Sequence, residues 1–177
     1  LLWTVDPNAS GTSFGYDGKG NLIALTDAKG QSTSFSYDGK GNVLSTTDPT
    51  GNTTTYGYDA TGNRTSETQT VTTPTGTRTL VTRWDYSDDG KLLSTTDPTG
   101  YTTTYTYDGN GNQVEVKDAL NRITKSRYDD KGQLVEAIYP DATPTDADNP
   151  RTVTVYDRGG RQRATLDESG RVTHYRY

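Results

Sequence analysis

Residues 37–59 read YDGKGNVLSTTDPTGNTTTYGYD. Two Asp-x-x-Gly segments, at 38–41 and 48–51, stand ten residues apart, and Tyr37-Asp38 returns 21 residues later as Tyr58-Asp59. Asp opens such a segment because its carboxylate bonds the turn backbone. Pro49 suits the second position, and Gly accepts the left-handed fourth. The stretches between the turns are rich in Thr, Val and Tyr, residues that suit a pleated, half-buried strand. The segment therefore predicts one β-hairpin plus the turn leading to the next.

The same pattern extends over the whole chain. Tyr16, Tyr37, Tyr58, Tyr86, Tyr107, Tyr128, Tyr156 and Tyr177 follow one another at spacings of 21, 21, 28, 21, 21, 28 and 21. Asp follows most of them, and Ser87 replaces it once. Two residues before each tyrosine runs a second series: Phe14, Phe35, Tyr56, Trp84, Tyr105, Ser126, Thr154 and Tyr175. The turn pairs are Asp17/Gly20, Asp27/Gly30, Asp38/Gly41, Asp48/Gly51, Asp59/Gly62, Asp97/Gly100, Asp108/Gly111, Asp129/Gly132, Asp157/Gly160 and Asp167/Gly170. Asp6 opens the earliest of these turns. After Asp118 the glycine place is taken by Asn121, the residue that best tolerates positive φ after glycine. The chain reads as a single array of eight hairpin units: 1–21, 22–42, 43–63, 64–91, 92–112, 113–133, 134–161 and a truncated 162–177.

Turn spacing leaves strands of about six or seven residues. A period of 21 is odd, so stacking equivalent tyrosines on one face requires one extra residue per unit. One turn per unit is the expected source: one three-residue loop with a bulge and one four-residue loop. On that expectation Phe35, Tyr37, Val43 and Ser45 share a face with Tyr56 and Tyr58, and Leu44 and Thr46 face the other way. The two 28-residue units carry Thr- and Pro-rich insertions at 68–77 and 138–150, expected as long hairpin loops. LSTTDPTG occurs at 44–51 and again at 93–100, which points to duplication.

Composition agrees with an all-β reading. Apolar residues make up 28% of the chain, with 13 Tyr and 2 Phe, and 19 Gly serve frequent turns. Mean hydropathy is −0.91. The aromatic and β-branched content argues against disorder. A net charge of −5 argues against a nucleic-acid backbone or an anionic membrane as partner. No apolar run approaches a membrane span. Without cysteine the protein forms no disulfide and has no thiolate ligand or nucleophile. A start at Leu1-Leu2-Trp3 is expected of an internal piece.

Units such as 37–59, repeated in register, resemble the YD repeat, also called the RHS repeat. That family includes bacterial Rhs and wall-associated polymorphic toxins, the C subunits of insecticidal toxin complexes, and teneurins. The resemblance implies a continuous antiparallel β-hairpin sheet that curls as a spiral or solenoid arc of a shell. In the toxins the shell encloses a C-terminal effector; in teneurins it is an adhesion scaffold. Nothing here resembles the toxins' self-cleaving core, so the chain is expected to be an arc with open edges. The resemblance also implies a secreted or cell-surface protein, with neighbouring repeats and an encapsulated effector as partners. Self-association through open edges is the further expectation.

Functional residues are weighed against that frame. Asp141, Asp146 and Asp148 lie outside the regular turns and are the weak candidates for a cation, against a solvated loop. The aromatic ladder suits cross-strand packing, with sugar binding as the alternative. Trp84 reads as a ladder member, while Trp3 falls off the ladder. His174 reads as a strand residue. Asp167-Glu168 lies in a turn. No nucleophile–base pair is evident, so the expectation is a scaffold without catalysis or cofactor. The competing reading is a binding or adhesion module that recognises carbohydrate or a cell-surface partner.

Overall fold

The computed structural model describes residues 2–5, 11–141 and 149–177, with side chains from residue 11 onward. The described residues form sixteen antiparallel strands in one sheet whose strand order is the sequence order. In chain order they are β1 (Leu2–Val5), β2 (Gly11–Tyr16), β3 (Leu22–Thr26), β4 (Ser32–Tyr37), β5 (Val43–Thr47), β6 (Thr53–Tyr58), β7 (Arg64–Thr73) and β8 (Gly76–Tyr86). They continue with β9 (Leu92–Thr96), β10 (Thr102–Tyr107), β11 (Gln113–Lys117), β12 (Ile123–Tyr128), β13 (Leu134–Ile138), β14 (Arg151–Tyr156), β15 (Gln162–Leu166) and β16 (Val172–His174). The chain divides into two compact units: Leu1–Lys91 with Thr96–Gly100, and Leu92–Thr95 with Tyr101–Tyr177. The all-β hairpin array expected from the repeat is what forms.

The extra residue of each unit does not sit where the period suggested. Both turn classes close identically. The Asp38 amide donates to the Asn42 carbonyl at 2.9 Å, and the Asp48 amide to that of Asn52 at 2.9 Å. The Gly41 and Gly51 amides return to the carbonyls of Asp38 and Asp48 at 3.2 and 3.0 Å. The odd residue is a β-bulge, as expected, but it lies in the strand opposite the tyrosine, and the two turns do not differ in length. Ser36 pairs with Ser45, but Tyr37 pairs with Val43, leaving Leu44 over. Val43 lies opposite Tyr37 as expected, whereas Ser45 does not share that face. Thr46 lies opposite Phe35, and Ser45 faces Ser36 with their hydroxyls 2.6 Å apart. Equivalent shifts fall at Tyr16, Tyr58, Tyr107, Tyr128 and Tyr156. A bulge takes up one residue without lengthening a turn, so every turn keeps its favoured geometry. It also shortens the regular strands to five or six residues.

The insertion at 68–77 is not a loop. It extends β7 and β8, which pair from Ser66↔Arg83 out to Thr73↔Gly76 around Pro74-Thr75. Alternating Thr and Val are strong strand formers, and they continue the ladder. At 138–150, Ile138 ends β13 and the Tyr139 amide donates to the Pro150 carbonyl at 2.8 Å. Residues 142–148 lie outside the described residues. Both insertions replace the turn class that lacks the tyrosine.

A thick core is absent among the described residues: the buried apolar side chains are Ala137 and Ile138, each 6% exposed. In the first unit the two faces of the sheet differ. One carries Phe14, Phe35, Tyr37 and Tyr56 with their cross-strand partners Leu25, Thr46, Val43 and Glu67. On the other, every paired position from β2 to β7 is Ser, Thr, Gly or Ala, as in the row Gly15, Ala24, Ser34, Thr47, Thr53 and Thr70. In the second unit that second face carries charge and aliphatic groups, with Glu115 opposite Lys125 and Val153 opposite Leu166.

Candidate functional site

The recurring site is the turn that follows each ladder tyrosine. Asp38 shows its construction. One carboxylate oxygen accepts the Lys40 and Asn42 amides at 2.8 and 2.9 Å, and the other accepts the Asn42 side-chain amide at 2.8 Å. Asp17, Asp59 and Asp108 repeat this with Asn21, Asn63 and Asn112. The other turn class uses the same scheme, Asp48 with Asn52, and Asp118 with Arg122. Gly41 supplies the left-handed corner at φ 92°, and Asn121 does so at φ 63°.

The remaining turn residues fall into the same frame. Asp27, Asp97, Asp129, Asp157 and Asp167 each accept, through the backbone carbonyl, the amide of the glycine three residues on, at 2.9 to 3.0 Å. Gly20, Gly30 and Gly170 stand at φ 89°, 77° and 83°. All three are exposed, and nothing lies within 4 Å of where a Cβ would stand. Their place is therefore the open rim of the sheet. They shape the backbone there and line no cavity that a ligand could enter.

The turn bonds favour the ionised carboxylate. Asp48 is drawn down to about 2, by the Thr50 hydroxyl first and then the Asn52 side chain. Asp59 is likewise held at about 2, by Thr61 and then Asn63. Asp38 is lowered chiefly by the Asn42 side chain. The carboxylates of Asp38 and Asp48 thus spend both oxygens on their own turns.

The fifth turn residue escaped the sequence reading, which stopped at glycine. Its signal was present: Asn, Gln, Lys or Arg follows the glycine in most turns, as in Asn42, Gln31, Lys91 and Arg171. Only a residue with a side-chain donor can close the second carboxylate oxygen.

The ladder tyrosines work one unit back. The Tyr37 hydroxyl donates to the Leu22 carbonyl at 2.8 Å and Tyr58 to that of Val43 at 2.9 Å. Tyr107 reaches Leu92 at 2.9 Å, Tyr128 reaches Gln113 at 3.0 Å and Tyr156 reaches Leu134 at 3.2 Å. Each acceptor begins the strand after the preceding tyrosine turn. Val43 shows why a carbonyl is available: β5–β6 pairing runs only from Ser45↔Thr55 to Thr47↔Thr53, so Val43 lies beyond it. The bulge takes the strand out of the ladder, and the next tyrosine caps it. Tyr16 and Tyr177 are exposed, at 42% and 73%. Tyr86 closes β8 beside the Ser87 turn, in which the Lys91 amide donates to the Ser87 hydroxyl at 3.0 Å.

Successive tyrosine turns are also stitched along their edge. Lys40 Nζ donates to the Ala60 carbonyl at 2.7 Å, Lys131 Nζ to that of Arg158 at 2.7 Å, and Gln133 Nε2 to that of Gly160 at 3.0 Å. The groove between the first two turns, lined by Asp17, Ile23, Tyr37 and Asp38, presents carboxylates already occupied by turn donors.

The remaining candidates are dispersed. Asp141 is exposed, and Asp146 and Asp148 lie outside the described residues, as do the side chains of Asp6 and Trp3. Among the described residues no group of three or more His, Asp or Glu side chains is placed to hold a metal ion. His174 is exposed on β16. Trp84 and Tyr56 are not open platforms: the Arg64 guanidinium lies 5.2 and 5.1 Å from their ring centres.

Comparison with known proteins places this repeat among relatives. The family profile described as RHS Repeat matches residues 16–53, 37–78, 86–123 and 107–144. No curated protein sequence matches. A crystal structure of TcdB2–TccC3 without its hypervariable C-terminal region superposes with a TM-score of 0.50 at 17% identity, covering 99% of this chain and 12% of that one. The Photorhabdus luminescens Tc holotoxin pore matches at a TM-score of 0.42 and 16% identity, over 94% of this chain and 13% of that one. The first likeness is one of fold, and this chain spans about an eighth of the length of those neighbours.

Proposed function

Because the chain belongs to the RHS repeat family, whose profile covers residues 16–78 and 86–144 in overlapping copies, we propose that it is a wall segment of a β-hairpin shell enclosing a polypeptide. The observation that carries this reading is the tyrosine bond to the preceding unit. Tyr37, Tyr58, Tyr107, Tyr128 and Tyr156 each cap a carbonyl of the unit behind, and the units they belong to offer the same kind of carbonyl ahead, so the construction can be extended by repetition. A wall built this way needs no thick core, because its stability is shared between neighbouring repeats. On this proposal the eight units are one stretch of a longer array. Its partners are the flanking repeats and an enclosed effector polypeptide, and the carboxylates are turn locks without chemistry of their own. A secreted or cell-surface location belongs to the same proposal. No helix among the described residues is long and apolar enough to cross a membrane.

The test uses the full-length protein that carries this stretch. Under limited trypsin digestion, an enclosed segment survives in the intact protein. It is cleaved once Tyr58→Ala and Tyr107→Ala open the wall. Equal digestion of every segment outside the repeats in both forms would overturn the reading.

A further inference from the structure

The sequence contains one Asn-Gly step, Asn110-Gly111. It occupies the third and fourth positions of the turn after Tyr107, where the other tyrosine turns carry Lys40-Gly41, Thr61-Gly62 or Lys131-Gly132. Asn110 is exposed and Gly111 stands at φ 88°. We propose that Asn110 is a site of spontaneous deamidation, gated by opening of the turn that Asp108 holds.

Two differences separate Asn110 from the asparagines that close the tyrosine turns. The side chains of Asn21, Asn42, Asn63 and Asn112 each donate to the second oxygen of their turn aspartate, at 2.8 to 3.0 Å. That of Asn110 has no hydrogen-bond partner among the described residues; only its backbone amide is held, by Asp108 at 2.9 Å. The second difference is the following residue. Leu22, Val43, Arg64 and Gln113 place a Cβ beside the nitrogen that must attack, and Gly111 places none.

The chemistry needs only water. The Gly111 backbone nitrogen attacks Cγ of Asn110, and the new bond between them closes a five-membered imide. The Cγ–Nδ2 bond breaks, and Nδ2 leaves as ammonia with the proton that Gly111 gives up. Water then opens the imide at either carbonyl, leaving aspartate or isoaspartate at position 110. Aspartate adds a charge two residues from the Asp108 carboxylate. Isoaspartate adds a methylene to the backbone of a turn whose closure depends on its length.

The folded turn restrains this reaction. The Gly111 amide donates to the Asp108 carbonyl at 3.1 Å, and Asp108 Oδ1 also fixes the amides of Asn110 and Asn112 at 2.9 Å each. The nucleophile becomes free when these bonds break, so the rate follows the population of the opened turn.

The experiment incubates the native protein at mildly alkaline pH and maps its peptides by chromatography that resolves aspartate from isoaspartate. Conversion at position 110 is expected to outrun that at Asn42 and Asn63. Asn149 should stay unconverted by this route, because Pro150 has no N–H. Asp108→Ala removes the three side-chain bonds that hold the turn and should raise the rate about tenfold. Hydrogen exchange at the Gly111 amide gives an independent measure of opening. Exchange and deamidation should rise by the same factor in wild type, Asp108→Ala and mild denaturant. Conversion at position 110 no faster than at Asn42 overturns the site. Exchange that rises while deamidation does not overturns the gate.

Discussion

A single Tyr58 carries two kinds of work: its side chain is part-buried against the sheet, and its hydroxyl holds the Val43 carbonyl at 2.9 Å. Tyr58→Phe keeps the ring and removes the bond. Chemical denaturation should show a loss of about 1 kcal/mol, the ordinary net worth of such a bond. An unchanged midpoint would mean that water replaces the hydroxyl without cost. The turn aspartates act through charge. The Asp48 carboxyl falls from 3.8 to about 2 in the folded protein, and Asp59 does the same. A carboxylate lowered on folding stabilises the fold above its unfolded value and loses that contribution as pH falls through its folded value. Melting temperature should therefore be flat at neutral pH and fall between about pH 4 and pH 2. In the pair Asp48→Asn, Asp59→Asn the fall should be shallower, because two of the groups that drive it no longer titrate.

Strands and turns acquire their register from the bulge. Leu44 is the residue left over when Tyr37 pairs with Val43 and Ser36 with Ser45. With Leu44 deleted, Val43 still meets Tyr37 and Ser45 still meets Ser36, so no residue of β5 changes face. What is lost is the bulge, with the local bend and twist it gives the strand, and with it the exit of Val43 from the β5–β6 ladder that leaves its carbonyl to Tyr58. Deletion should therefore lower the melting temperature while melting stays cooperative, whereas Leu44→Thr should change it little. An unchanged melting temperature after deletion would show that the bulge is dispensable. The β7–β8 hairpin shows the same logic with a longer ladder. Its added residues continue the alternation already set by Ser66 and Arg83, so the extension costs no change of register.

At the scale of the molecule, hydrogen bonds and half-buried faces replace a core, which leaves the last strand consequential. Strand order ends at β16, and the Tyr175 amide donates inward to the Arg163 carbonyl at 3.0 Å. Amides alternate direction along a strand. The His174 amide therefore points away from β15, toward the place a following repeat would fill, and in the stretch 1–177 taken by itself that edge is of the kind that templates association. Light scattering on this chain should report mass that grows with concentration, and His174→Pro should weaken that growth. Unchanged association in the variant would place the contact elsewhere.

The fold was legible in the sequence because the repeat is dense. Tyr, Asp, Gly and Asn each answer a local requirement, and the ten-residue spacing of the turns leaves no room for helices. The turn locks were half read: Asp and Gly stand out, while the recurrent donor after the glycine, Asn42 and its counterparts, shows its role only once its side chain is seen on the aspartate. The sequence by itself determined the hairpins and the glycine corners of the described turns, since these are decided within a few consecutive residues. Tertiary structure alone decided that the bulge falls at Leu44 with both turns of equal length, and that Tyr58 reaches back to Val43. It also decided that 68–77 is strand. Those outcomes depend on which residue lies opposite which across strands. An odd period constrains the count of extra residues per unit, and pairing energy chooses where the extra one goes.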